Sequence, residues 1–226
     1  MSLIPSARVR ARGRYEWFLD GASCGEEHFE ILPVRGGGAV ATIEQSWRAP
    51  HPLAGEQRVR AELSAEGRMS SLELDWLVGT RALHAHHRAE GATWHVRIDY
   101  AGHVREQQGD YPPTCEVLFG SPLSTMFALH HFALAAGAEH EFAALVVGPP
   151  YMAVEPGKQR VSWRGEGVLG MPWGSVAARQ LEWTDAAGVE LPTTVWVDAE
   201  DRVLELRDGL GESAPLMARM QELVIG

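Results

Sequence analysis

Apolar and polar residues alternate along most of the chain. The alternation is clearest over residues 59–63, 72–78, 94–100, 161–163 and 181–183. Because neighbouring side chains of a β-strand point to opposite faces, each run predicts a strand with one buried face and one exposed face.

Short turn sequences separate these runs at similar spacing. They are Leu19-Asp20-Gly21, Ala65-Glu66-Gly67, Ala89-Glu90-Gly91, Tyr100-Ala101-Gly102, Ala186-Ala187-Gly188 and the stretch Asp198–Asp201. Each predicts a β-hairpin, and a succession of hairpins gives an antiparallel sheet that curls to limit its exposed edges. The pattern therefore predicts a mainly β protein built on a single curled antiparallel sheet, either a half-barrel or a barrel.

Two segments break the two-residue period. Ser121 and Pro122 form a typical helix start, and Gly137 is a typical stop, so a helix is expected over residues 122–136. This helix is apolar on nearly every side, which predicts that it plugs the concave side of the sheet. A second helix is predicted near residues 214–224, where apolar residues recur at helical spacing.

Length and charge restrict the remaining possibilities. The 226 residues can build one sizeable core, so we expect a single domain over residues 1–226, with residues 1–12 as a flexible basic arm. The net charge of −10 argues against nucleic acid as a partner, because that binding depends on neutralising phosphates. No apolar stretch is long enough for membrane insertion, and no secretory signal is evident, which predicts a cytoplasmic protein.

Three histidines within four positions raise the possibility of a metal site. His84 and His86 would share one strand face, and with Gly79 and Glu90 they resemble the first cupin motif, in which two imidazoles and a carboxylate bind a divalent metal. The glycine-to-histidine spacing is one residue short, and no second cupin motif follows. His84, His86 and Glu90 also share one strand face with Arg88, as the residues of a solvated polar face do, while His87 would point to the opposite face.

Motifs for catalysis or cofactor binding are absent from the sequence. There is no G-x-S-x-G nucleophile elbow, no phosphate-binding loop followed by lysine and no dinucleotide-binding G-x-G-x-x-G. Cys24 and Cys115 are expected to be reduced thiols. We therefore expect no cofactor and favour a binding protein over an enzyme.

Eight tryptophans fall almost entirely on predicted strands. Those that face inward would line a broad apolar interior, together with residues of the plugging helix and its end. The predicted cavity-lining residues are Trp76, Trp94, Trp163, Trp183, Phe127 and His131. The alternative is that the same side chains fill an ordinary packed core.

The order of several segments resembles a known group of proteins. These segments are Gly13–Trp17 with Gly21, Gly25–Glu27, Trp94–Gly102 and Leu191–Leu204. They are similar to an uncharacterised bacterial domain family related to the half-barrels of lipoprotein localisation factors. The resemblance implies a highly curved antiparallel sheet around an apolar cavity covered by helices, and it implies no catalytic residues.

Three functional hypotheses remain open. The first is a non-enzymatic protein that holds a lipid or another apolar small molecule in the concave face of the sheet. The second is a cupin-like metal-binding barrel or enzyme that uses His84, His86 and Glu90. The third is a protein-interaction module with a packed core and an unknown partner.

Overall fold

The computed structural model describes residues 10–51, 54–132, 134–148, 152–187, 192–208 and 216–226. This part of the chain forms one sheet and one short helix, α1 (Pro122–Leu129). The strands are β1 (Ala11–Leu19), β2 (Ala22–Pro33), β3 (Ala39–Trp47), β4 (Gly55–Leu63), β5 (Met69–Val78), β6 (Arg81–Glu90), β7 (Thr93–Tyr100), β8 (His103–Asp110), β9 (Cys115–Phe119), β10 (Glu139–Gly148), β11 (Ala153–Met171), β12 (Gly174–Asp185), β13 (Thr193–Val197), β14 (Val203–Asp208) and β15 (Leu216–Ile225).

The strands pair almost entirely with their neighbours in sequence. The order across the sheet is β8-β7-β6-β5-β4-β3-β2-β1-β15-β14-β13-β12-β11-β10-β9, so the pairing of β1 with β15 joins the two halves. All pairs are antiparallel except β9 with β10, which are parallel and are separated in sequence by α1. The prediction of a single curled, mainly antiparallel sheet is confirmed.

The two-residue period of the sequence sets which face of the sheet is buried. In β3, Ala39, Ala41, Ile43, Gln45 and Trp47 are buried, and the residues between them are partly or fully exposed. The same alternation continues through β4, β5 and β6, so one face of the sheet is apolar and concave while the other meets solvent.

Tight turns connect the strands at predicted hairpins; of the predicted turn Ala186-Ala187-Gly188, the glycine lies outside the described residues. Asp20 and Gly21 have φ angles of 51° and 76°, and Ala101 and Gly102 have φ angles of 52° and 79°. A positive φ at both central residues is the requirement of a two-residue type I′ turn, whose twist matches that of the flanking strands.

The sheet curls without closing into a barrel. Its edge strand β8 lies against β11 rather than against the other edge strand, β9. The side-chain amide of Gln107 on β8 bridges this seam: Nε2 donates to the carbonyl of Val154 at 2.7 Å, and Oε1 accepts from its N–H at 3.4 Å. The Gln107 side chain thus makes hydrogen bonds of the kind that backbone groups make between two paired strands.

The helix begins where the sequence predicts and ends earlier. Ser121 is the N-cap, with its Oγ accepting from the Leu123 N–H at 3.1 Å, and Pro122 occupies the first turn. The prediction of a helix reaching residue 136 is wrong, because α1 ends at Leu129. After it, the backbone continues in single turns, in which the N–H groups of His131 and Phe132 bond to the carbonyls of Ala128 and Leu129. The His131 side chain there bonds to Glu116 of β9.

The predicted C-terminal helix over residues 214–224 is wrong. Residues 216–225 form β15, which pairs with β1 on one side and β14 on the other. Leu216, Ala218 and Met220 are buried and alternate with partly exposed residues. The first half of the segment is therefore compatible with the two-residue period of a strand as well as with helical spacing. Pairing with two strands decides between them, because it satisfies the backbone on both sides. Residues 214 and 215 lie outside the described residues.

The predicted flexible arm overlaps with the sheet at its end. Ala11 and Arg12 already belong to β1, where they pair with Ile225 and Val224 of β15. Arg10 is described as well, and its carbonyl accepts from the Gly226 N–H at 2.8 Å. Residues 1–9 of the predicted arm lie outside the described residues, so the arm and the single domain over residues 1–226 stay predictions.

Replacing Gln107 by alanine tests the seam. The variant loses both bonds to Val154 and leaves two backbone groups of a half-buried strand without their partner, which is expected to lower the free energy of unfolding by about 1–3 kcal/mol. Gln108→Ala, on the exposed face of the same strand, is the control and is expected to change it by no more than about 0.5 kcal/mol. Equal urea-denaturation midpoints for the two variants would contradict a structural role for the seam.

Candidate functional site

The concave side of the sheet contains an open cavity of about 1030 Å³. Its walls come from β1, β3, β4 and β5 on one side and from β9 to β15 on the other, and the first turn of α1 contributes to them as well. Apolar side chains make up much of the lining, among them Trp17, Trp47, Leu74, Val147, Trp183 and Leu206.

Two tryptophans of the lining meet across a glycine. In the sheet register, Trp17 of β1 and Trp47 of β3 both pair with Gly25 of β2. A Cβ atom at position 25 would lie 2.6 Å from Cδ1 of Trp47, so this position leaves no space for a side chain. The two indole rings pack edge to face with centroids 6.2 Å apart, and the His51 ring stacks on Trp47 at 5.0 Å.

A row of polar side chains crosses the concave face next to these aromatic rings. Tyr15, Glu27, Gln45 and Gln57 are consecutive partners in the register of β1 to β4, and all four are buried. Buried polar groups require hydrogen-bond partners, so this polar row is an exception to an otherwise apolar surface that needs explanation.

Most of the polar row is satisfied by contacts with the helix and the loop before it. Glu27 Oε1 accepts from Ser121 Oγ at 2.6 Å, and Glu27 Oε2 accepts from Gln45 Nε2 at 2.7 Å. Gln45 Nε2 also donates to the carbonyl of Gly120 at 2.7 Å. Tyr15 donates its hydroxyl to the carbonyl of Val203 at 2.7 Å. The row therefore fixes the N-terminus of α1 against the sheet.

Glu27 is a fully buried carboxyl group. Burial raises its pKa from 4.5 to about 7, because desolvation of the charged form outweighs the hydrogen bonds from Ser121 and Gln45, which act in the opposite direction. The group therefore titrates near neutral pH within the interior of the protein.

Gln57 differs from the rest of the polar row. Its side chain is 4% exposed and lines the cavity, and its amide makes no hydrogen bond to any of the described residues. An unpaired primary amide offers two donors and one acceptor, so the wall at this position can bind a polar group within the cavity.

The predicted cavity-lining residues lie in different parts of the structure. Trp183 lines the cavity and donates Nε1 to Gln159 Oε1 at 3.0 Å. Trp76, Trp94 and Phe127 are buried in the core, away from the cavity lining. Trp163 is half-buried under the Arg179 guanidinium, which lies 5.1 Å from the ring centroid.

His131 lines a second, smaller pocket of about 670 Å³. Its Nδ1 lies 2.9 Å from Glu116 Oε1, and its Nε2 lies 3.2 Å from the Glu66 carbonyl. The hydrogen bond to Glu116 raises the pKa of His131. With both ring nitrogens in such contacts, the imidazole serves to hold the end of α1 against β9.

The residues of the predicted metal site lie on the outer face of β6. His84, His86 and Glu90 are exposed, whereas His87 is buried, so the predicted distribution over the two faces is confirmed. His84 contacts Asp75 of β5, and His86 Nε2 lies 3.8 Å from Glu73 Oε1. Within the described ranges, no group of three or more histidine, cysteine, aspartate or glutamate side chains is arranged to hold a metal ion.

His87 on the inner face is a structural residue. Its Nδ1 accepts from Trp94 Nε1 at 3.3 Å, and burial lowers its pKa to about 4. The neutral form therefore persists at physiological pH, and the histidine behaves as a polar member of the core.

Sequence reasoning missed the residues that define the cavity wall. Trp17, Trp47, Glu27 and Gln57 were not among the predicted lining residues. A signal was present, because Gln57 occupies an inward position of an alternating strand whose other inward positions are apolar. A polar residue in phase with buried neighbours indicates either a buried network or a binding surface.

The fold and the cavity define a curled, β-barrel-like protein. Its fold is similar to that of a β-barrel-like protein of the domain of unknown function DUF1849 from Brucella abortus, with a TM-score of 0.66 and 11% identity over 97% of this chain and 99% of that chain. A DUF1089 family protein from Pseudomonas aeruginosa has a TM-score of 0.50 and 14% identity over 79% of this chain and 87% of that chain. No protein-family model matches the chain, and no curated protein matches it significantly.

At these identities the likeness concerns the fold alone. It supports the expected resemblance to uncharacterised β-barrel-like proteins, whereas the relation to lipoprotein carriers stays a prediction. None of the helical residues that the structure describes forms a segment long and apolar enough to span a bilayer. The cytoplasmic location stays a prediction.

The raised pKa of Glu27 makes stability depend on pH. The folded state favours the protonated carboxyl, so this contribution is fully present below pH 4.5 and is lost as the pH rises through about 7. Its upper limit is about 3 kcal/mol. Glu27→Gln is expected to remove this dependence, so urea denaturation should show wild type losing stability relative to the variant between about pH 5 and about pH 8.

The control for this experiment is Glu26→Gln, which changes the neighbouring carboxylate on the outer face of β2. This variant is expected to keep the pH dependence of the wild type, because the Glu26 side chain is well exposed and forms surface ion pairs with Arg14 and His28. If Glu27→Gln and wild type change in parallel with pH, Glu27 does not titrate in the folded state as its burial implies.

The metal hypothesis for β6 can be tested by substitution and by chelation. Replacing His84 and His86 together by alanine is expected to change the free energy of unfolding by no more than about 0.5 kcal/mol if both only face solvent. Melting temperatures of wild type and variant are then equal with and without a chelator. A chelator that lowers the melting temperature of wild type alone would establish a metal site at this face.

Proposed function

We propose that the protein is a non-enzymatic binding protein that holds a lipid or another apolar ligand in the cavity on the concave face of its sheet. The observation that carries this proposal is the cavity of about 1030 Å³, with Trp17, Trp47 and Trp183 in its wall. Ligand sites are commonly concave, largely apolar and of roughly 300–1,000 Å³, with a small number of polar groups among the lining residues.

The packing around the cavity supports a site that is already formed. Gly25 allows Trp17 and Trp47 to meet, and the Glu27 contact with Ser121 holds the first turn of α1 in the wall. The wall therefore does not depend on a ligand for its shape, and little ordering of side chains opposes binding.

The titratable groups of the interior support binding rather than chemistry. The Glu27 carboxyl is enclosed by Ser121 and Gln45. Burial raises the pKa of Cys115 to about 11, so its thiol stays protonated at neutral pH and is a poor nucleophile.

Gly157 offers a way to block the cavity without disturbing the fold. It lies on β11 in the cavity wall, and a Cβ atom there would meet no heavy atom within 4 Å. The neutral apolar probe N-phenyl-1-naphthylamine is expected to bind native wild type and to receive energy from the lining tryptophans. Gly157→Trp is expected to weaken this binding by about tenfold or more.

Gly170→Trp is the matched control. Gly170 lies on the same strand in equally open space, away from the cavity, so this variant is expected to bind the probe as wild type does. Both variants should melt close to wild type, because both positions are exposed. A probe signal that appears only as the protein unfolds would contradict the proposal and favour a packed interaction module.

A further inference from the structure

We infer that His131 is a proton-dependent latch: its doubly protonated ring connects the chain after α1 both to the edge strand β9 and to the turn between β4 and β5. The latch consists of His131 and its two acceptors, the Glu116 carboxylate and the Glu66 carbonyl. This inference concerns the protein without a ligand, so it goes beyond the proposed function and does not depend on it.

Both groups that face the ring of His131 are hydrogen-bond acceptors. Nδ1 lies 2.9 Å from Oε1 of Glu116, and Nε2 lies 3.2 Å from the carbonyl oxygen of Glu66. A carbonyl and an ionised carboxylate have no proton to donate, and a neutral imidazole carries only one N–H. Both contacts are therefore hydrogen bonds at the same time when the ring carries two protons. Loss of one proton leaves one of the two oxygens without its donor.

The latch connects three segments that are distant in sequence. Glu116 lies on β9, Glu66 lies in the turn between β4 and β5, and His131 lies two residues after the end of α1. The backbone N–H groups of His131 and Phe132 bond to carbonyls within α1, so these bonds do not reach another element. The His131 side chain does reach two other elements, and its second hydrogen bond requires the second proton.

Glu116 has the largest effect on the charge of the ring. The hydrogen bond to Glu116 raises the pKa of His131, whereas burial and the positive charge of Arg68 act in the opposite direction. The ring centroids of His130 and His131 lie 5.8 Å apart, and burial lowers the pKa of His130. The net shift of the His131 pKa is upward, which agrees with the doubly protonated ring that the two contacts require.

Further titratable groups lie near the latch on several elements. They are Glu66 in the turn between β4 and β5, Tyr111 and Cys115 beside Glu116, His140 and Glu141 on β10, and Lys158 on β11. Burial raises the pKa of Tyr111 to about 12 and that of Cys115 to about 11, so both stay uncharged at neutral pH. Glu141 is bonded to Arg160 at 2.6 Å. Within the described ranges, the carboxylate that forms an ion pair with the ring of the latch is that of Glu116.

Both cavities have wall residues on the elements that the latch connects. His131 and Phe132 line the smaller pocket, and β9 and α1 contribute to the wall of the larger cavity. The stability that the latch adds is fully present below about pH 6.5, the ordinary pKa of histidine, and is lost as the pH rises through the raised pKa of His131. A rise in pH is therefore expected to loosen the segment after α1 and the wall of the smaller pocket.

An NMR titration of the ring nitrogens tests the charge of His131 in the full-length protein, with His131→Gln used to assign the signal. We expect both nitrogens to carry protons at about pH 6 and the pKa of the ring to exceed its ordinary value of about 6.5. Glu116→Gln removes the charged acceptor and is expected to lower this pKa relative to wild type. A ring that is neutral at the lower pH, or a pKa that Glu116→Gln leaves unchanged, overturns the inference.

Amide hydrogen exchange tests whether this proton holds the segment after α1. All proteins compared carry Glu27→Gln, so that Glu27 does not titrate. With the latch intact, exchange of the Phe132 amide, corrected for its intrinsic pH dependence, is expected to be about threefold or more slower at about pH 6 than at about pH 9, as the loss of one hydrogen bond implies. His131→Gln is expected to remove this difference, because its side chain has no proton to lose in this range.

The control is His103→Gln, which replaces an exposed histidine on β8 and is expected to keep the pH dependence of the latch. Protection of the Phe132 amide that does not change with pH while the latch is intact overturns the inference, and so does an equal change in His131→Gln. Neither measurement uses a ligand, so a negative result here leaves the proposed function standing.

Discussion

Burial of one face of a single long sheet is the constraint on which the rest of the structure depends. The concave face is apolar along most strands, and water must be excluded from it. The described chain contributes only one helix of eight residues to cover that face, so the sheet must cover itself by curling. Because the curl ends in the seam between Gln107 and Val154 rather than in a closed barrel, the two halves of the sheet are left to enclose the cavity.

The polar row across β1 to β4 connects this packing to the cavity. Glu27 and Gln45 would be unfavourable in an apolar interior, and they are accommodated because Ser121 and Gly120 lie opposite them. The same contacts fix the first turn of α1, whose residues are part of the cavity wall. The position of the helix, the titration of Glu27 and the shape of the site therefore depend on one set of hydrogen bonds.

Shape and charge of the cavity act in different ways. For the proposed apolar ligand, the aromatic and aliphatic wall would supply a driving force that is nearly independent of the ligand's identity, since it scales with the apolar area removed from water. Polar groups in the wall of a cavity add little to that driving force and mainly determine specificity. A fold that is shared with proteins of very different sequence leaves such distinctions to the residues of the wall.

The sequence by itself determined the local features of this protein. The two-residue alternation specified the strands and their buried faces, including the separation of His84 and His86 from His87, and Ser121 with Pro122 specified the start of α1. These features follow from neighbouring residues, whose steric and hydrogen-bonding preferences are the same wherever the segment lies.

Only the tertiary structure decided the rest. Residues 216–225 are compatible with a helix until β1 and β14 offer backbone partners on both sides. The position of His131 after α1 involves a hydrogen bond to Glu116, which lies on another strand. Which tryptophans line the cavity also depends on how the strands are arranged in the tertiary structure. Trp17 and Trp47 line it, whereas Trp76 and Trp94 do not, because an inward-facing side chain meets either the core or open space according to which distant strand lies opposite.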